Sequence, residues 1–187
     1  MTLRPVELPK ILRIELAPPD PAWVELFGTE ANQLRAVLGE EVVAIHHAGS
    51  TSIPGLKAKP TIDVVLIVAD IEKLDRYNDD MMKQGYIPRG EYGIPGRRFF
   101  VRLNGAARVC NIHAFATGHP EIERMLTFRD YLRAHPERAQ VYERLKEELA
   151  RKFPDDIDKY AAGKSEFVAE TIRLATVRRV SVSNHEC

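Results

Sequence analysis

The chain has 187 residues, and its 27 lysines and arginines balance its 27 aspartates and glutamates, so it lacks the basic excess typical of general nucleic-acid-binding proteins. Its two cysteines form no CxxC pair and no Cys/His cluster, which argues against a zinc finger or a disulfide scaffold. The sequence shows no signal peptide and no apolar run of the roughly 18 residues that span a bilayer, so we expect a cytoplasmic protein with neither a membrane nor a nucleic-acid partner.

The first part of the chain predicts alternating strands and helices. Residues 11–17 alternate as a short strand, and residues 21–38 predict an amphipathic helix with Asp20 as its N-cap. Residues 42–47 predict a further strand. The nearly continuous run of β-branched residues at 61–68 predicts a central strand that is covered on both faces.

The middle of the chain predicts a helix at 70–84, ended by Gly85, and then a hairpin at 97–115 with its turn at Asn104-Gly105. Three further helices are predicted at 120–133, 136–152 and 166–176. Residues 178–187 show no helical pattern and are predicted to be a tail. The order predicts a single α+β domain over residues 1–177, with a helical C-terminal part from about residue 120.

One stretch, HHAGSTSIPGLKAKPTIDVVLIV from His46 to Val68, places a single carboxylate behind a loop rich in glycine and serine. Such a loop can hold phosphate oxygens through backbone N–H groups and hydroxyls, and a following lysine can add positive charge. The residues that would do so are Gly49, Ser50, Thr51, Ser52 and Lys59. On composition alone, a solvated turn is favoured over a phosphate site.

Asp63 lies near the start of the apolar strand, where a buried carboxylate is unfavourable unless it is paired, bound to metal or open to a cleft. Two roles explain this aspartate equally well. It is either a strand-start residue that accepts hydrogen bonds from loop N–H groups, or a metal ligand or base. Alternation places Asn111 and His113 on one face of the hairpin, and Arg98 and Arg102 on one face of the preceding strand. If these faces align, the carboxylate, amide, imidazole and an arginine surround one cleft. A lone strand histidine, however, is more often a core or surface group than a ligand.

The stretch from His46 to Val68 closely resembles the signature of the GrpB family, also called UPF0157, within the nucleotidyltransferase superfamily. The resemblance continues through GYIPRGEYGIPGRRFF, NIHAF, FRDYLRAHPERAQVYERLKEELA and YAAGKSEFVAETI, and reaches about residue 175. It implies a polymerase-β-like nucleotidyltransferase fold, a mixed sheet with helices packed on it. It also implies that a Gly-Ser turn holds a nucleoside triphosphate while acidic residues hold divalent metal, Mg²⁺ or Mn²⁺, for attack on the α-phosphate.

Residue by residue, the resemblance assigns Gly49 and Ser50 to the Gly-Ser turn and Asp63 to the first acidic position. The second acidic position is occupied by Val65, which cannot bind Mg²⁺, and His113 stands in the region of the third. An imidazole suits Zn²⁺ or Mn²⁺ better than Mg²⁺. Asp63 and His113 are therefore the implied catalytic and metal-binding residues, while the usual two-metal mechanism lacks a ligand.

Other candidates are Glu91, which can replace a carboxylate, and Arg102, which can bind phosphate. In the helical part, Arg129-Asp130 can anchor a ligand, and Tyr160 and Lys164 lie four residues apart on one helix face. Lysines in this part of the superfamily often touch phosphate. A structural role is nevertheless favoured for these four helical residues. The charged run YERLKEELARK is interpreted as a solvated helix face.

Three functional hypotheses remain open. The first is an enzyme that transfers a nucleotidyl group to an unidentified acceptor. The second is a module that binds a nucleotide or phosphorylated metabolite without transferring anything, and Val65 favours it. The family's fusion to dephospho-coenzyme A kinase implies a link of such a module to coenzyme metabolism. The third is a protein-interaction domain in which the cleft is a relic.

Overall fold

A computed structural model describes the backbone of residues 13–183 and the side chains of residues 13–177. The helices are α1 (Ala22–Leu38), α2 (Ile71–Leu74), α3 (Asn78–Lys83), α4 (Pro120–Ala134), α5 (Pro136–Lys152), α6 (Ile157–Ala162) and α7 (Ser165–Ser183). The strands are β1 (Val42–Ala48), β2 (Ile62–Val68), β3 (Tyr86–Pro88), β4 (Arg98–Asn104) and β5 (Ala107–Ala116). Short 3₁₀ turns lie at Gly39–Glu41, Ser50–Ser52 and Asp75–Tyr77.

The strands form one mixed sheet in the order β1-β2-β5-β4-β3. Strands β2 and β5 run parallel, and the other neighbours are antiparallel. The β4–β5 hairpin turns after Asn104, as the Asn-Gly signal predicts. Five of the seven β2 residues are buried, which confirms a strand covered on both faces.

Helix α1 covers one face of the sheet with the apolar stripe that includes Trp23, Leu34 and Leu38. It begins at Ala22, one residue later than predicted, so Pro21 rather than Asp20 is the N-cap; Asp20 Oδ1 accepts a hydrogen bond from the Ala22 backbone at 2.9 Å. This face has a large apolar core, because β2 contributes every second side chain to it.

The opposite face is covered by the helical C-terminal part. Near β2, helix α4 packs Ile122, Met125 and Leu126 against a small cluster of Ala48, Val65 and Phe115. Further along, the loop after β1 inserts Ile53 and Leu56 among apolar side chains of α4 and α5. The loop that precedes β2 is therefore fixed between the sheet and the helices.

Three predicted elements differ from the structure, and two of them lie before the hairpin. Residues 13–16 form no strand, and Ala17 makes only an isolated bridge to Ala58. Pro18 and Pro19 follow and lack the N–H groups that would continue a ladder; residues 11 and 12 lie outside the described part. The helix predicted at 70–84 is divided by the 3₁₀ turn, where Asp75 accepts two hydrogen bonds from Arg98, at 2.6 and 2.8 Å.

The last helix is longer than predicted. Helix α7 continues to Ser183, so the interpretation of residues 178–183 as a tail without helix is wrong. This segment contains no glycine or proline that would end a helix. Residues 184–187 lie outside the described part, and the domain boundary at 177 stays a prediction. None of the described helices is long and apolar enough to cross a membrane.

Candidate functional site

The Asp63 carboxylate lies near the N-terminal end of β2. Because β2 and β5 run parallel, Asp63 stands opposite Asn111, and Val65 stands opposite His113. The Asn111 amide nitrogen donates to Asp63 Oδ1 at 2.8 Å, and His113 Nε2 lies 3.6 Å from the same oxygen. The structure thus confirms that the carboxylate, the amide and the imidazole share one face of the sheet.

Gly49 brings the turn after β1 directly against this carboxylate. Its φ of 67° lies in the left-handed region that favours glycine. A Cβ at this position would lie 2.2 Å from Asp63 Oδ2 and 2.9 Å from Asp63 Cβ. Only glycine fits this contact, since both the φ angle and the space exclude a side chain.

The turn itself is held from inside and from α4. Ser52 Oγ donates to the Gly49 carbonyl at 2.7 Å, and Arg133 donates twice to the Ser52 carbonyl, at 2.9 and 2.7 Å. Arg129 donates to the His47 carbonyl at 2.9 Å. The structure therefore places the Ser52 hydroxyl within the turn rather than at a phosphate site, and it gives Arg129 the structural role that was favoured.

A cavity of about 340 Å³ opens beside Asp63, between the sheet and the helical C-terminal part. This volume is at the lower end of the range for small-molecule sites. Besides Asp63, Asn111 and His113, its polar lining comes from Ser50, Thr51, Lys59, Thr61, Lys146, Tyr160 and Lys164. A larger surface depression of about 700 Å³ lies against α7, but it contains none of the predicted site residues.

The helical part contributes more to this cavity than the sequence predicts. Tyr160 and Lys164, for which a structural role was favoured, both line it, whereas Arg129 and Asp130 pair with each other at 2.7 Å. Lys146 was missed, because its charged helix was interpreted as a solvated face. The spacing of apolar residues along this helix could have identified Lys146 as buried.

Lys146 lies four residues after Tyr142 and three before Leu149, and both of these residues are buried. That spacing places the lysine on the buried stripe of α5, where it is 1% exposed. Its Nζ donates to the Lys57 carbonyl and lies 5.0 Å from the centre of the Tyr142 ring. The charged run is therefore solvated on one side only.

Burial weakens the protonated state of all three lysines at the cavity. It lowers the pKa of Lys146 to about 7, and the charge of Lys164 adds to this effect. Burial also lowers the pKa of Lys164 to about 8, although Asp63 opposes the shift. The pKa of Lys59 is lowered by burial and, more weakly, by Arg108. An anion in the cavity would restore these positive charges.

The Asp63 carboxylate stays ionised in this setting. Burial is the largest single effect on its pKa and raises it, but contacts with His113 and Asn111 and the charge of Lys59 together outweigh burial. The net result is a pKa below the ordinary value for aspartate. The cavity therefore contains one fixed negative charge among three lysines.

His113 is oriented by Arg97, which lies on the loop before β4. Arg97 Nη1 is 3.2 Å from His113 Nδ1, and a guanidinium can only donate. Nδ1 is thus the acceptor, and the proton of the neutral ring lies on Nε2, which faces Asp63. Arg97 is itself held by the carbonyls of Glu91 and Tyr92. Arg97 is the arginine that reaches His113, although it does not line the cavity in the described part of the chain; strand alternation had suggested Arg98 or Arg102.

Arg102 lies on the opposite face of the sheet. It pairs with Cys110, whose side chain belongs to the core under α1. Its guanidinium donates to Glu30 at 2.9 Å and to Gln33 at 2.8 Å. The prediction that Arg102 contributes to the phosphate site is therefore not supported by its position.

Neither Val65, which occupies the second acidic position, nor Glu91, the candidate replacement, lines the cavity in the described part of the chain. Val65 is fully buried in the apolar cluster under α4. The Glu91 carboxylate accepts a hydrogen bond from the Gly96 backbone at 2.7 Å, within its own loop, and Glu91 does not line the cavity in the described part of the chain. Within residues 13–177, no three His, Cys, Asp or Glu side chains are grouped to hold a metal ion.

Comparison with known proteins assigns this α+β architecture to a family. The family described as GrpB protein matches residues 13–173, which include the sheet and the helices that line the cavity. The chain belongs to the GrpB family. A crystal structure of GrpB from Enterococcus faecalis superposes with a TM-score of 0.83 at 38% identity, covering 88% of this chain and 99% of that one.

Longer proteins also contain regions similar to this chain. The UPF0157 protein YqkA of Bacillus subtilis is 45% identical over 156 residues, which are 83% of this chain and 45% of YqkA. A dephospho-CoA kinase of Mycolicibacterium paratuberculosis is 28% identical over 87% of this chain and 46% of its own length. The chain thus spans less than half of each of these two relatives.

The contact between Gly49 and Asp63 can be tested with two alanine substitutions. Gly49→Ala and Gly55→Ala both place alanine at a positive φ, 67° and 75°, but only Gly49 has an atom within 4 Å of the new Cβ. We expect Gly55→Ala to lower the free energy of unfolding by about 1–2 kcal/mol. Gly49→Ala should lower it by about 2–5 kcal/mol, because overpacking adds to the strain. Urea denaturation measures both; equal losses would contradict the contact.

The buried lysine predicts a pH-dependent stability. Lys146 loses its proton above about pH 7 when folded but keeps it to about pH 10 when unfolded, so the unfolded chain binds more protons in between. Stability of the ligand-free protein should therefore rise with pH across this window. In Lys146→Met the rise between pH 7 and pH 9 should be smaller. Urea denaturation at both pH values measures this, and identical slopes in the two proteins would contradict the assignment.

Proposed function

We propose that the cavity beside Asp63 binds the phosphate groups of a nucleoside triphosphate, and that the chain is a nucleotide-binding module. The observation that carries this proposal is the convergence of Lys59, Lys146 and Lys164 on one cavity. Three elements distant in the sequence supply them: the loop before β2, helix α5 and the α6–α7 junction. Lys146 is buried and the other two lysines are half-buried, and a buried lysine is unfavourable unless an anion accompanies it.

The chemistry of the lining suits a polyphosphate. With all three lysines protonated and Asp63 ionised, the lining has a net charge of two positive units from these four residues. Each ammonium group has three donors, and within the described residues Lys146 Nζ donates to one acceptor, the Lys57 carbonyl. Phosphate oxygens accept several hydrogen bonds at once, so a bound phosphate would satisfy donors on more than one lysine.

The family relationship favours a phosphorylated ligand. One similar region belongs to a protein named dephospho-CoA kinase, which extends the proposal to a phosphorylated metabolite of coenzyme A chemistry. This extension is an analogy between proteins, and it sets a second ligand class for the binding experiments.

Nucleotidyl transfer is the second candidate, and the position of Asp63 favours it. The carboxylate stands next to a Gly-Ser turn at the edge of a cavity, as a metal-binding acid would. Against it, the second acidic position is a valine in an apolar cluster. Release of pyrophosphate from a nucleoside triphosphate distinguishes the two candidates, since a binding module releases none.

The binding proposal predicts a thermal shift. At a ligand concentration ~100 times the Kd, binding to the folded state adds ~2.7 kcal/mol of stability. We expect such a shift with at least one of ATP, GTP, CTP and UTP. Lys164→Gln should weaken binding by about tenfold or more, because it removes a charged donor.

Lys73→Gln is the matched control. It makes the same change of charge on an exposed residue of α2, away from the cavity, and should keep the wild-type shift. If none of the four nucleoside triphosphates shifts the unfolding temperature, the proposal of a nucleotide site fails. An equal loss in both lysine variants would show a non-specific charge effect instead.

A further inference from the structure

The cavity has the donors for an anion but not the ligands for a divalent cation. Asp63 supplies the only carboxylate in its lining, within the described part of the chain. Oxygen Oδ1 of this carboxylate already accepts the Asn111 amide nitrogen, and Oδ2 lies against Gly49. Mg²⁺ is usually held by one or two carboxylates together with waters and phosphate oxygens, and here the one carboxylate has both of its oxygens occupied by protein neighbours.

His113 cannot complete such a site in its present orientation. A histidine binds metal through the unprotonated nitrogen of a neutral ring. Arg97 occupies Nδ1 as a donor, and Nε2 therefore carries the proton. Nδ1 is thus engaged by Arg97, and the N–H at Nε2 faces Asp63 Oδ1 at 3.6 Å, beyond hydrogen-bonding distance.

Neighbouring positions do not compensate. Val65, which stands opposite His113, is fully buried among Ala48 and Phe115. A carboxylate there would point into the apolar cluster under α4. Asn111, which stands opposite Asp63, turns the donor side of its amide to the carboxylate. The donor set around Asp63 does not fit a divalent metal ion.

The three lysines supply the positive charge that a metal ion would supply. In a metal-dependent site, one Mg²⁺ brings two positive charges to the phosphates and fixes their position. Here the ammonium groups of Lys59, Lys146 and Lys164, less the charge of Asp63, bring the same net charge. They approach from the loop before β2, from α5 and from the α6–α7 junction, so they can contact a phosphate chain from several sides.

We propose that this cavity binds a polyphosphate directly, without a divalent metal ion, and that Lys59, Lys146 and Lys164 occupy the role of the metal. The proposal rests on the proposed function and specifies how that site recognises its ligand. Asp63 is then the counter-charge that keeps three neighbouring lysines together in the absence of ligand. It is not a metal ligand.

Two consequences distinguish this site from a metal-dependent one. Chelation of divalent ions leaves binding intact, and added Mg²⁺ does not improve it, because Mg²⁺ and the lysines compete for the same phosphate oxygens. Substitution Asp63→Asn removes a negative charge from the cavity, so it maintains or strengthens polyphosphate binding. In a metal-dependent site the same substitution abolishes binding.

The experiment measures the Kd of ATP, GTP, CTP, UTP and inorganic tripolyphosphate by calorimetry, each in EDTA and in excess Mg²⁺. We expect at least one nucleoside triphosphate and tripolyphosphate to bind in EDTA, with Asp63→Asn at least as tight as wild type. Lys146→Met should lose binding in EDTA, while Lys73→Gln keeps it. Circular dichroism confirms that each variant is folded.

Three outcomes would overturn one or both of the proposals. Binding in Mg²⁺ that disappears in EDTA overturns the metal-free site and leaves the nucleotide-binding function in place. No binding of any probe under either condition overturns both. Binding in EDTA that Lys146→Met leaves unchanged also overturns the assignment, because the anion would then be held elsewhere. The comparison of EDTA with Mg²⁺ uses the wild-type protein and depends on no variant.

Discussion

The contact between Asp63 and Gly49 sets the geometry on which the cavity depends. Asp63 is half-buried, and a charged group in such a position is unfavourable unless other groups compensate it. The turn approaches the carboxylate so closely that only a glycine at positive φ fits, and Asn111 and His113 take up the remaining side. The carboxylate is therefore held ionised at one point, and the lysines converge there. Removing this charge would leave their mutual repulsion uncompensated in the ligand-free protein.

The helical C-terminal part completes the site as well as the fold. Its apolar side chains pack on the loop that carries the turn, and the same helices bring Lys146 and Lys164 to the cavity. A sheet alone would present the turn, Asp63 and Lys59 to solvent, where single charges bind phosphate weakly. The GrpB family match includes both parts, residues 13–173, as this division of roles requires. The family's sequence signature around the turn describes only half of the site.

Local sequence patterns predicted most of the sheet. They predicted the site only for residues whose position follows from strand alternation. The Asn-Gly turn located the hairpin, and period-two alternation placed Asn111 and His113 on one face. That Asp63 shares this face was a hypothesis, which the strand register confirms. Loop geometry decided which arginine reaches His113, and no strand pattern reports that Arg97 folds back. The burial of Lys146 was not predicted, because the many charged residues around it indicated a solvated helix face. Its spacing from the buried residues of α5 indicated the opposite. Its low pKa depends on burial by elements far apart in the sequence.

Proton uptake on binding reports whether the lysines of the cavity hold the phosphates. Calorimetric titration at pH 8 uses whichever of ATP, GTP, CTP and UTP binds, in EDTA and in two buffers of different ionisation enthalpy. The phosphates of these ligands are almost fully ionised at this pH, so the titration gives the number of protons that the protein takes up. With pKa values of about 7 and 8, Lys146 and Lys164 are incompletely protonated at this pH in the free protein. If the lysines hold the phosphates, binding takes up protons at pH 8 and takes up fewer at pH 6. Binding without proton uptake at pH 8 would show that these lysines do not hold the anion.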